Sequence, residues 1–219
     1  MQSSVSFSDH SLDPAVRGFL QSPASANGNA IVLTHGAGAD CNAPLLIALS
    51  ETFAARGYTV LRYDLPFRQE RRGPPHPGIA ARDRAGLRNA VTALRGKVSR
   101  QIFMGGHSYG GRQATMLCAE EPELVSGLLL LSYPLHPARK PEQLRIQHLP
   151  KLHTPSLFVH GTRDPLGTIA EMQEALRLIP AKKELMEVEG VGHDLGFKGK
   201  ARLEELPPRI LAAFEKLMR

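Results

Sequence analysis

The sequence predicts an α/β fold, in which a mostly parallel, twisted sheet carries helices on both faces. Continuous apolar runs at residues 30–34, 102–104 and 125–131 are typical of strands that are buried on both faces of a parallel sheet. Between these runs lie segments whose apolar residues recur at helical spacing, so strands and helices alternate along the chain. This alternation indicates right-handed βαβ crossovers and therefore parallel strand pairing.

The elements predicted in the first part of the chain are an antiparallel edge hairpin, a buried strand, a helix and a second strand. In order, they are Val5–Asp9, Val16–Leu20, Ala30–Thr34, Asn42–Arg56 and Tyr58–Leu65. Proline and arginine dominate residues 66–78, which are predicted to form a long exposed loop.

The second part of the chain continues the alternation of helix and strand. Its predicted elements are a helix at Ile79–Lys97, a strand, turn and helix within Arg100–Glu120, strands at Val125–Leu131, Ser156–His160 and Glu184–Val188, and helices at Thr168–Ile179 and Arg202–Met218. The connector His136–Thr154 is predicted to be irregular. It is too short to build a separate lid domain.

Length and composition favour one soluble α/β domain over residues 1–219. The chain has 42% hydrophobic and 22% charged residues, close to globular averages. Its formal net charge of +6 could indicate a nucleic-acid partner. However, the basic residues form no stripe interleaved with aromatic ones, so no nucleic-acid partner is predicted.

Features that would indicate a disulfide framework, a metal centre or membrane insertion are missing from the sequence. Cys41 and Cys118 are too few for a disulfide framework, and the histidines show no zinc-ligand spacing, so a reducing, cytoplasmic setting without metal or cofactor is predicted. The N-terminal segment lacks the basic start and apolar core of a signal peptide. No apolar run approaches the roughly 20 residues that cross a bilayer.

The segment Arg100–Glu120 contains the clearest candidate nucleophile. An apolar run ends in Gly106-His107-Ser108-Tyr109-Gly110, which matches the nucleophile-elbow pattern G-x-S-x-G. The glycines suit a sharp turn that brings the incoming strand so close to the outgoing helix that larger side chains would collide. The pattern therefore predicts a serine at the apex of a strand–turn–helix unit.

A serine hydroxyl becomes an effective nucleophile when an imidazole takes its proton and an acid orients the imidazole. Asp164 follows one predicted strand and His193 follows the next, so both are expected at the edge of the sheet that carries Ser108. Asp194 is a competing acid, although adjacent loop residues rarely point at one another. Asp164 could instead cap the following helix, and Ser108 could be a turn residue of an inactive protein.

The oxyanion of a tetrahedral intermediate needs preorganised N–H donors. The backbone N–H of Tyr109, directly after the nucleophile, is one predicted donor. The other is predicted in the turn after the strand Ala30–Thr34, with Ala37 as first choice and Gly36 as second. His35 and His107 are interpreted as structural or pocket-lining residues, because one imidazole suffices as the base.

Five short signatures occur in a fixed order, and together they resemble the α/β-hydrolase superfamily across Ala30–Met218. The chain is similar to the compact, lidless, dienelactone-hydrolase-like branch, except that its elbow has Ser108 where a true dienelactone hydrolase has cysteine. The signatures are Thr34-His35-Gly36-Ala37-Gly38, Tyr63-Asp64, Gly106-His107-Ser108-Tyr109-Gly110-Gly111, His160-Gly161-Thr162-Arg163-Asp164 and Gly192-His193. This resemblance implies an α/β-hydrolase fold and site layout, and it does not carry over the lactone substrate.

The leading functional hypothesis is a serine hydrolase that cleaves an ester or thioester of a small molecule through an acyl-enzyme. An acyltransferase or perhydrolase with the same triad remains an alternative, as does a catalytically silent binding or scaffold protein. The basic residues Arg68, Arg71 and Arg72 could lie at the mouth of the site, which suggests a substrate with an anionic group. The sequence predicts no oligomeric state.

Overall fold

The computed structural model describes residues 4–70, 73–198 and 203–219. It contains eight strands, β1 to β8, at Ser4–Asp9, Val16–Gln21, Ala30–Thr34, Thr59–Tyr63, Ile102–His107, Leu128–Leu131, Ser156–Gly161 and Lys183–Val188. The six α-helices, α1 to α6, are Pro44–Ala55, Pro66–Glu70, Ala80–Arg95, Tyr109–Glu120, Ile169–Leu176 and Leu206–Leu217. Short 3₁₀ turns lie at Pro77–Ile79 and Leu149–Lys151. These counts refer to the described ranges alone.

The strands form a single mixed sheet in the order β1-β2-β4-β3-β5-β6-β7-β8. The pairs β1·β2 and β2·β4 are antiparallel, and every other neighbouring pair is parallel. The predicted edge hairpin is present as β1 and β2. The α/β-hydrolase fold predicted from the sequence is confirmed.

Both faces of the sheet are covered, as the continuous apolar strands predict. Along β3, for example, Ile31 and Leu33 pack into one core and Ala30 and Val32 into the other. Helices α1 and α6 cover the first face, and α3, α4 and α5 cover the second. The carboxyl ends of the parallel strands are therefore held by packing on both sides. This packing fixes the positions at which the following loops begin.

The prediction of one long exposed loop over residues 66–78 is wrong in part. Residues 66–70 form helix α2, and the buried Pro66 and Phe67 lie in its first turn. Proline suits the first turn of a helix because its missing N–H has no intrahelical acceptor there. The ring of Phe67 packs edge-on against His35 and Tyr109, at centroid distances of 5.5 and 5.6 Å, so this segment is anchored beside the elbow.

The helix boundaries follow recognisable end signals. Helix α5 begins after Thr168, whose hydroxyl and the Glu171 carboxylate form a capping box. Helix α6 begins at Leu206, with Pro207 in its first turn, so it is shorter than the predicted Arg202–Met218. Arg202 itself lies outside the described residues.

The connector 136–154 contains one 3₁₀ turn and no α-helix, in agreement with the absence of a lid domain. Within the described residues, no helix combines the length and apolar character needed to span a membrane.

Candidate active site

Ser108 lies at the junction of β5 and α4 in a backbone conformation that few side chains adopt, with φ 51° and ψ −115°. Two glycines make this turn possible. A Cβ atom at Gly106 would lie 2.5 Å from the amide nitrogen of Gly111, and one at Gly111 would lie 2.6 Å from the carbonyl oxygen of Gly106. The strand and the helix therefore approach each other more closely than any side chain at these positions allows.

Asp164 and His193 reach the elbow from the two neighbouring strands β7 and β8. These strands pair in parallel, so the loops that follow them start at the same edge of the sheet. The loops also touch, because a Cβ atom at Gly161 would lie 2.4 Å from the carbonyl oxygen of Val191. Glycine at this position lets the acid-bearing loop pack directly against the histidine-bearing loop.

A continuous hydrogen-bonded chain joins the three side chains. The Nε2 atom of His193 lies 2.8 Å from Oγ of Ser108, and its Nδ1 atom lies 2.8 Å from Oδ2 of Asp164. An ionised carboxylate can only accept, so Nδ1 donates to Asp164. Nε2 is then free to accept the hydroxyl proton of Ser108. This tautomer is the one that a general base requires.

The surroundings of Asp164 favour its ionised form. Burial by itself would raise its pKa, but the hydrogen bonds from the His193 side chain and from the Leu166 N–H help to outweigh burial and hold the pKa below its ordinary value. Its second oxygen accepts the N–H of Leu166 at 2.9 Å. Each carboxylate oxygen thus has a donor, and the side chain stays fixed behind the imidazole.

Asp194, the competing acid, is engaged elsewhere. Its carboxylate accepts the backbone N–H groups of Gly196 and Lys198, at 3.2 and 3.0 Å. These bonds close the turn that follows His193. The structure brings Asp164, and not Asp194, to the Nδ1 atom of the imidazole.

The side chain of His107 supports the backbone of His193. Its Nε2 atom donates to the carbonyl oxygen of His193 at 2.8 Å, and the two rings lie 5.1 Å apart. Burial, followed by the neighbouring His193, lowers the pKa of His107 to about 4. The ring is therefore neutral near pH 7, and a second positive charge is kept away from His193.

The Gly36–Ala37 peptide is held in one orientation from its carbonyl side. The carbonyl oxygen of Gly36 accepts from Nδ1 of His35 at 2.9 Å and from the N–H of Ala39 at 3.2 Å. A trans peptide is planar, so the N–H of Ala37 points the opposite way from this carbonyl. The N–H of Ala37 makes no backbone hydrogen bond with the described residues.

The buried ring of His35 is fixed in one tautomer by these contacts. Its Nε2 atom accepts the N–H of Leu65 at 3.2 Å, so Nδ1 carries the hydrogen that is donated to Gly36. Burial lowers the pKa of His35, in agreement with a neutral ring. A Cβ atom at Gly110 would lie 2.6 Å from the carbonyl oxygen of His35. The turn that contains Ala37 therefore packs directly on the first turn of α4.

Tyr109 supplies a second N–H that makes no backbone hydrogen bond with the described residues. As the first residue of α4 it has no intrahelical acceptor for this group. Its side chain is held away from the turn, because the hydroxyl donates to Oδ2 of Asp83 at 2.6 Å. The other oxygen of Asp83 accepts the N–H of Phe67 at 3.0 Å.

Asp83 was not singled out in the sequence, although one signal was present. It lies on the buried side of α3 together with Gly86, Leu87 and Ala90, at positions where an apolar side chain is expected. Burial raises its pKa. The two hydrogen bonds explain why a carboxyl group is tolerated there.

The guanidinium of Arg68 is bound to the backbone of the Ala37 turn. Its Nη2 and Nε atoms donate to the carbonyl oxygens of Ala37 and Ala39, at 2.9 and 2.8 Å. The predicted contact of Arg68 with substrate thus has an alternative, in which Arg68 holds the shape of the turn. Arg71 and Arg72, predicted to lie beside it, are outside the described residues.

An elongated cleft of about 340 Å³ opens beside the elbow. Gly36 and His107 form the part of the cleft wall that adjoins Ser108. A Cβ atom at Gly36 would lie 3.3 Å from Cβ of Ser108, which shows how close this wall is to the nucleophile. The remaining lining is mostly apolar and comes from the start of α1 and the loop after His193: Ala39, Ala43, Pro44, Leu45, Leu46, Asp194, Phe197 and Lys198.

No group of three or more histidine, cysteine, aspartate or glutamate side chains is arranged to hold a metal ion within residues 4–70, 73–198 and 203–219. Cys41 and Cys118 are both buried and free, and burial raises the pKa of each thiol to about 12. Neither thiol is therefore prepared to act as a nucleophile.

Comparison with known proteins agrees with the fold. A family model described as an alpha/beta hydrolase domain matches residues 27–208. The chain belongs to this alpha/beta-hydrolase family. The matched range includes the elbow, the loops that follow β7 and β8, and the turn that contains Ala37.

Solved structures share the fold of this alpha/beta hydrolase over nearly its whole length. Dienelactone hydrolase from Anabaena variabilis has a TM-score of 0.74 at 22% identity, with 100% of this chain and 99% of that chain covered. A lidless alpha/beta serine hydrolase from Xanthomonas campestris has a TM-score of 0.74 at 14% identity, with 97% and 94% covered. A serine hydrolase homologue from Coxiella burnetii has a TM-score of 0.72 at 15% identity, with 96% and 98% covered. The compact, lidless form predicted from the sequence is thereby confirmed.

Proposed function

We propose that the protein is a serine hydrolase that cleaves an ester or thioester of a small molecule through an acyl-enzyme. The observation that carries this proposal is the unbroken chain from Ser108 to His193 to Asp164, with 2.8 Å at each step. Membership of a hydrolase family and the lidless serine hydrolase among the structural neighbours support it.

In the acylation step, Oγ of Ser108 forms a bond to the acyl carbon while its proton moves to Nε2 of His193. The carbonyl π electrons move onto oxygen, and the N–H groups of Ala37 and Tyr109 stabilise the resulting oxyanion. The tetrahedral intermediate collapses, the bond to the leaving oxygen or sulfur breaks, and His193 returns the proton to it. Asp164 keeps the imidazole in place and stabilises its charged form.

Deacylation repeats the same steps with water. His193 takes a proton from a water molecule as its oxygen attacks the acyl carbon, and the bond to Ser108 then breaks with return of that proton to Oγ. The released product is the free acid. Another nucleophile in place of water would give acyl transfer, and peroxide would give a peracid, so the acceptor decides among these reactions.

Three residues outside the triad are assigned positioning roles. His35 and Arg68 hold the Ala37 turn from two sides, through the carbonyl oxygens of Gly36, Ala37 and Ala39. His107 holds the backbone of the base. These contacts preorganise the oxyanion donors and the imidazole, which removes a reorganisation cost from the reaction itself.

The cleft beside Ser108 is assigned to an apolar part of the substrate. Its walls are mostly apolar, and its volume of about 340 Å³ suits a small organic group. Both cysteines are free, which supports the proposal of a reducing, cytoplasmic setting.

A panel of p-nitrophenyl esters and acyl thioesters of increasing chain length tests this function, with product analysis in the presence of methanol, hydrogen peroxide and hydroxylamine. We expect release of the free acid, with the highest kcat/KM for acyl groups that fit the cleft. Products formed mainly from the added nucleophile would reassign the protein as an acyltransferase or perhydrolase. A protein inert to the whole panel and to covalent serine probes would favour the silent scaffold.

A further inference from the structure

Arg112 lies in the first turn of α4, one turn after Ser108. Its backbone N–H donates to the carbonyl oxygen of Ser108 at 3.0 Å. Four residues advance a helix by about 6 Å, and helical side chains tilt toward the N-terminus. The half-buried Arg112 side chain therefore extends back toward the turn that carries the nucleophile.

The guanidinium of Arg112 has hydrogen-bonding capacity that the described residues leave unused. Its Nε atom is buried without an acceptor, and within the described ranges the group makes neither an ion pair nor a side-chain hydrogen bond. The other arginines of comparable burial each donate to a described acceptor: Arg62, Arg68, Arg84, Arg88 and Arg145. A buried donor without an acceptor is unfavourable, so Arg112 is suited to bind one.

The groups around Arg112 are cationic or neutral. Tyr133 donates its hydroxyl to the carbonyl oxygen of Arg145 at 2.7 Å. His148 lies 2.8 Å from the hydroxyl of Thr115 on α4, so the connector that carries Arg145 and His148 packs against α4. Burial and then the charge of Arg112 lower the pKa of Arg145 and bring that of His148 to about 4.

Nearby carboxylates are engaged with other groups. Asp83 of α3 accepts from Tyr109 and Phe67, and the acidic residues at the C-terminal end of α4 face arginines of α3. Arg84, whose charge also reaches His148, lies 3.6 Å from Glu120, and Arg88 is paired with Glu121. Neither Arg112 nor Arg145 forms an ion pair with any carboxylate of the described residues. Arg112 and Arg145 therefore carry positive charge that no carboxylate of the described residues neutralises.

We propose that Arg112 binds a carboxylate carried by the substrate, about one helical turn from the acyl carbon that Ser108 attacks. The planar guanidinium matches a carboxylate in geometry and can bind it through two parallel hydrogen bonds. The inference rests on the proposed hydrolase function and deepens it. It moves the anionic preference suggested for Arg68 to helix α4, because Arg68 is occupied by backbone carbonyls.

The hydrolysis test compares esters that differ only in charge. One pair, p-nitrophenyl hydrogen glutarate and its methyl ester, carries the carboxylate on the acyl side, and the other, 3-carboxyphenyl acetate and its methyl ester, carries it on the leaving group. For at least one pair, we expect Arg112→Gln to lower the charged-to-neutral ratio of kcat/KM by about tenfold or more. Arg112→Lys is expected to retain part of the ratio, and the control Arg88→Gln to keep all of it.

Equal losses on the charged and neutral members of both pairs, or unchanged ratios for both, would overturn the proposal. Circular dichroism and labelling of Ser108 by a fluorophosphonate establish that each variant is folded with an intact nucleophile. Arg112→Lys provides the same comparison if Arg112→Gln fails to fold.

A binding measurement separates failure of this inference from failure of the proposed hydrolase function. Isothermal titration of the Ser108→Ala protein with monomethyl glutarate and with dimethyl glutarate needs no turnover. We expect tighter binding of the anion, with about tenfold loss when Arg112→Gln is added. That result would support the carboxylate site even if no ester were hydrolysed. Equal affinity for the two compounds would contradict it.

Discussion

Replacing Ser108 by alanine is expected to lower kcat/KM for the best ester of the panel by roughly 10⁴-fold or more. In the proposed mechanism the hydroxyl oxygen forms the covalent bond to the acyl group, and no other side chain in the hydrogen-bonded chain can take that role. Cys41 and Cys118 are buried, and burial raises the pKa of each thiol to about 12, so neither substitutes for it. Initial rates over a range of substrate concentrations give the measurement.

The variant is expected to keep its fold. Alanine retains the Cβ atom of serine, and the Ser108 side chain has one hydrogen bond, to His193, within the described residues. Thermal unfolding of both proteins is the control. A folded Ser108→Ala protein with wild-type activity would show that the reaction uses another nucleophile, and the assignment of the elbow serine would be wrong.

Asp164→Asn is expected to reduce kcat by about 10⁴-fold. The amide is nearly the same size as the carboxylate, but its NH₂ group can donate toward Nδ1 of His193. An imidazole that accepts at Nδ1 carries its hydrogen on Nε2, where it can no longer take the proton of Ser108. The loss also removes the negative charge that stabilises the imidazolium. Steady-state kinetics at constant pH test this effect.

Asp194→Asn is the matched control, because it makes the same chemical change in the residue next to His193. Its carboxylate accepts backbone N–H groups in the following turn, so its loss is expected to cost less than about tenfold. A larger loss at Asp194 than at Asp164 would reverse the assignment of the acid.

The convergence of Ser108, Asp164 and His193 could be predicted from the sequence because each position depends on local patterns. Gly106 and Gly110 flank Ser108 within one turn, and Asp164 and His193 each follow a continuous apolar strand. Parallel strands bring such ends to one edge of a sheet without any further information. The order of these residues along the chain therefore predicts their convergence.

The contacts that surround the triad could not be predicted, because they join groups without a local signature. Arg68 donates to backbone carbonyls, which every residue type supplies. The sequence therefore shows no partner for Arg68, and it suggested a solvent-exposed or substrate-binding cation. The charge of residues 68–72 similarly masked the apolar Pro66 and Phe67, and helix α2 was predicted as loop. Arg112 is notable because its guanidinium has no partner among the described residues, which a sequence cannot reveal.

Most residues of the cleft were beyond prediction, although His107, interpreted as structural or pocket-lining, does line it. Leu45 and Leu46 belong to the ordinary apolar face of the predicted helix, and nothing in the sequence marks Phe197 as a pocket residue. They become a binding surface when the turn after His193 folds onto the start of α1. Tertiary contact, and not periodicity, therefore defines the pocket.

The most direct measurement is the mass of the protein after reaction with a fluorophosphonate, followed by tryptic mapping of the adduct. An activated serine nucleophile predicts one phosphonyl group per chain on peptide 101–112, in which Ser108 is the single serine. The Ser108→Ala protein should gain no mass, and Asp164→Asn should react far more slowly. An adduct on any other residue, or equal labelling of the Ser108→Ala protein, would contradict the assignment of Ser108 as the nucleophile.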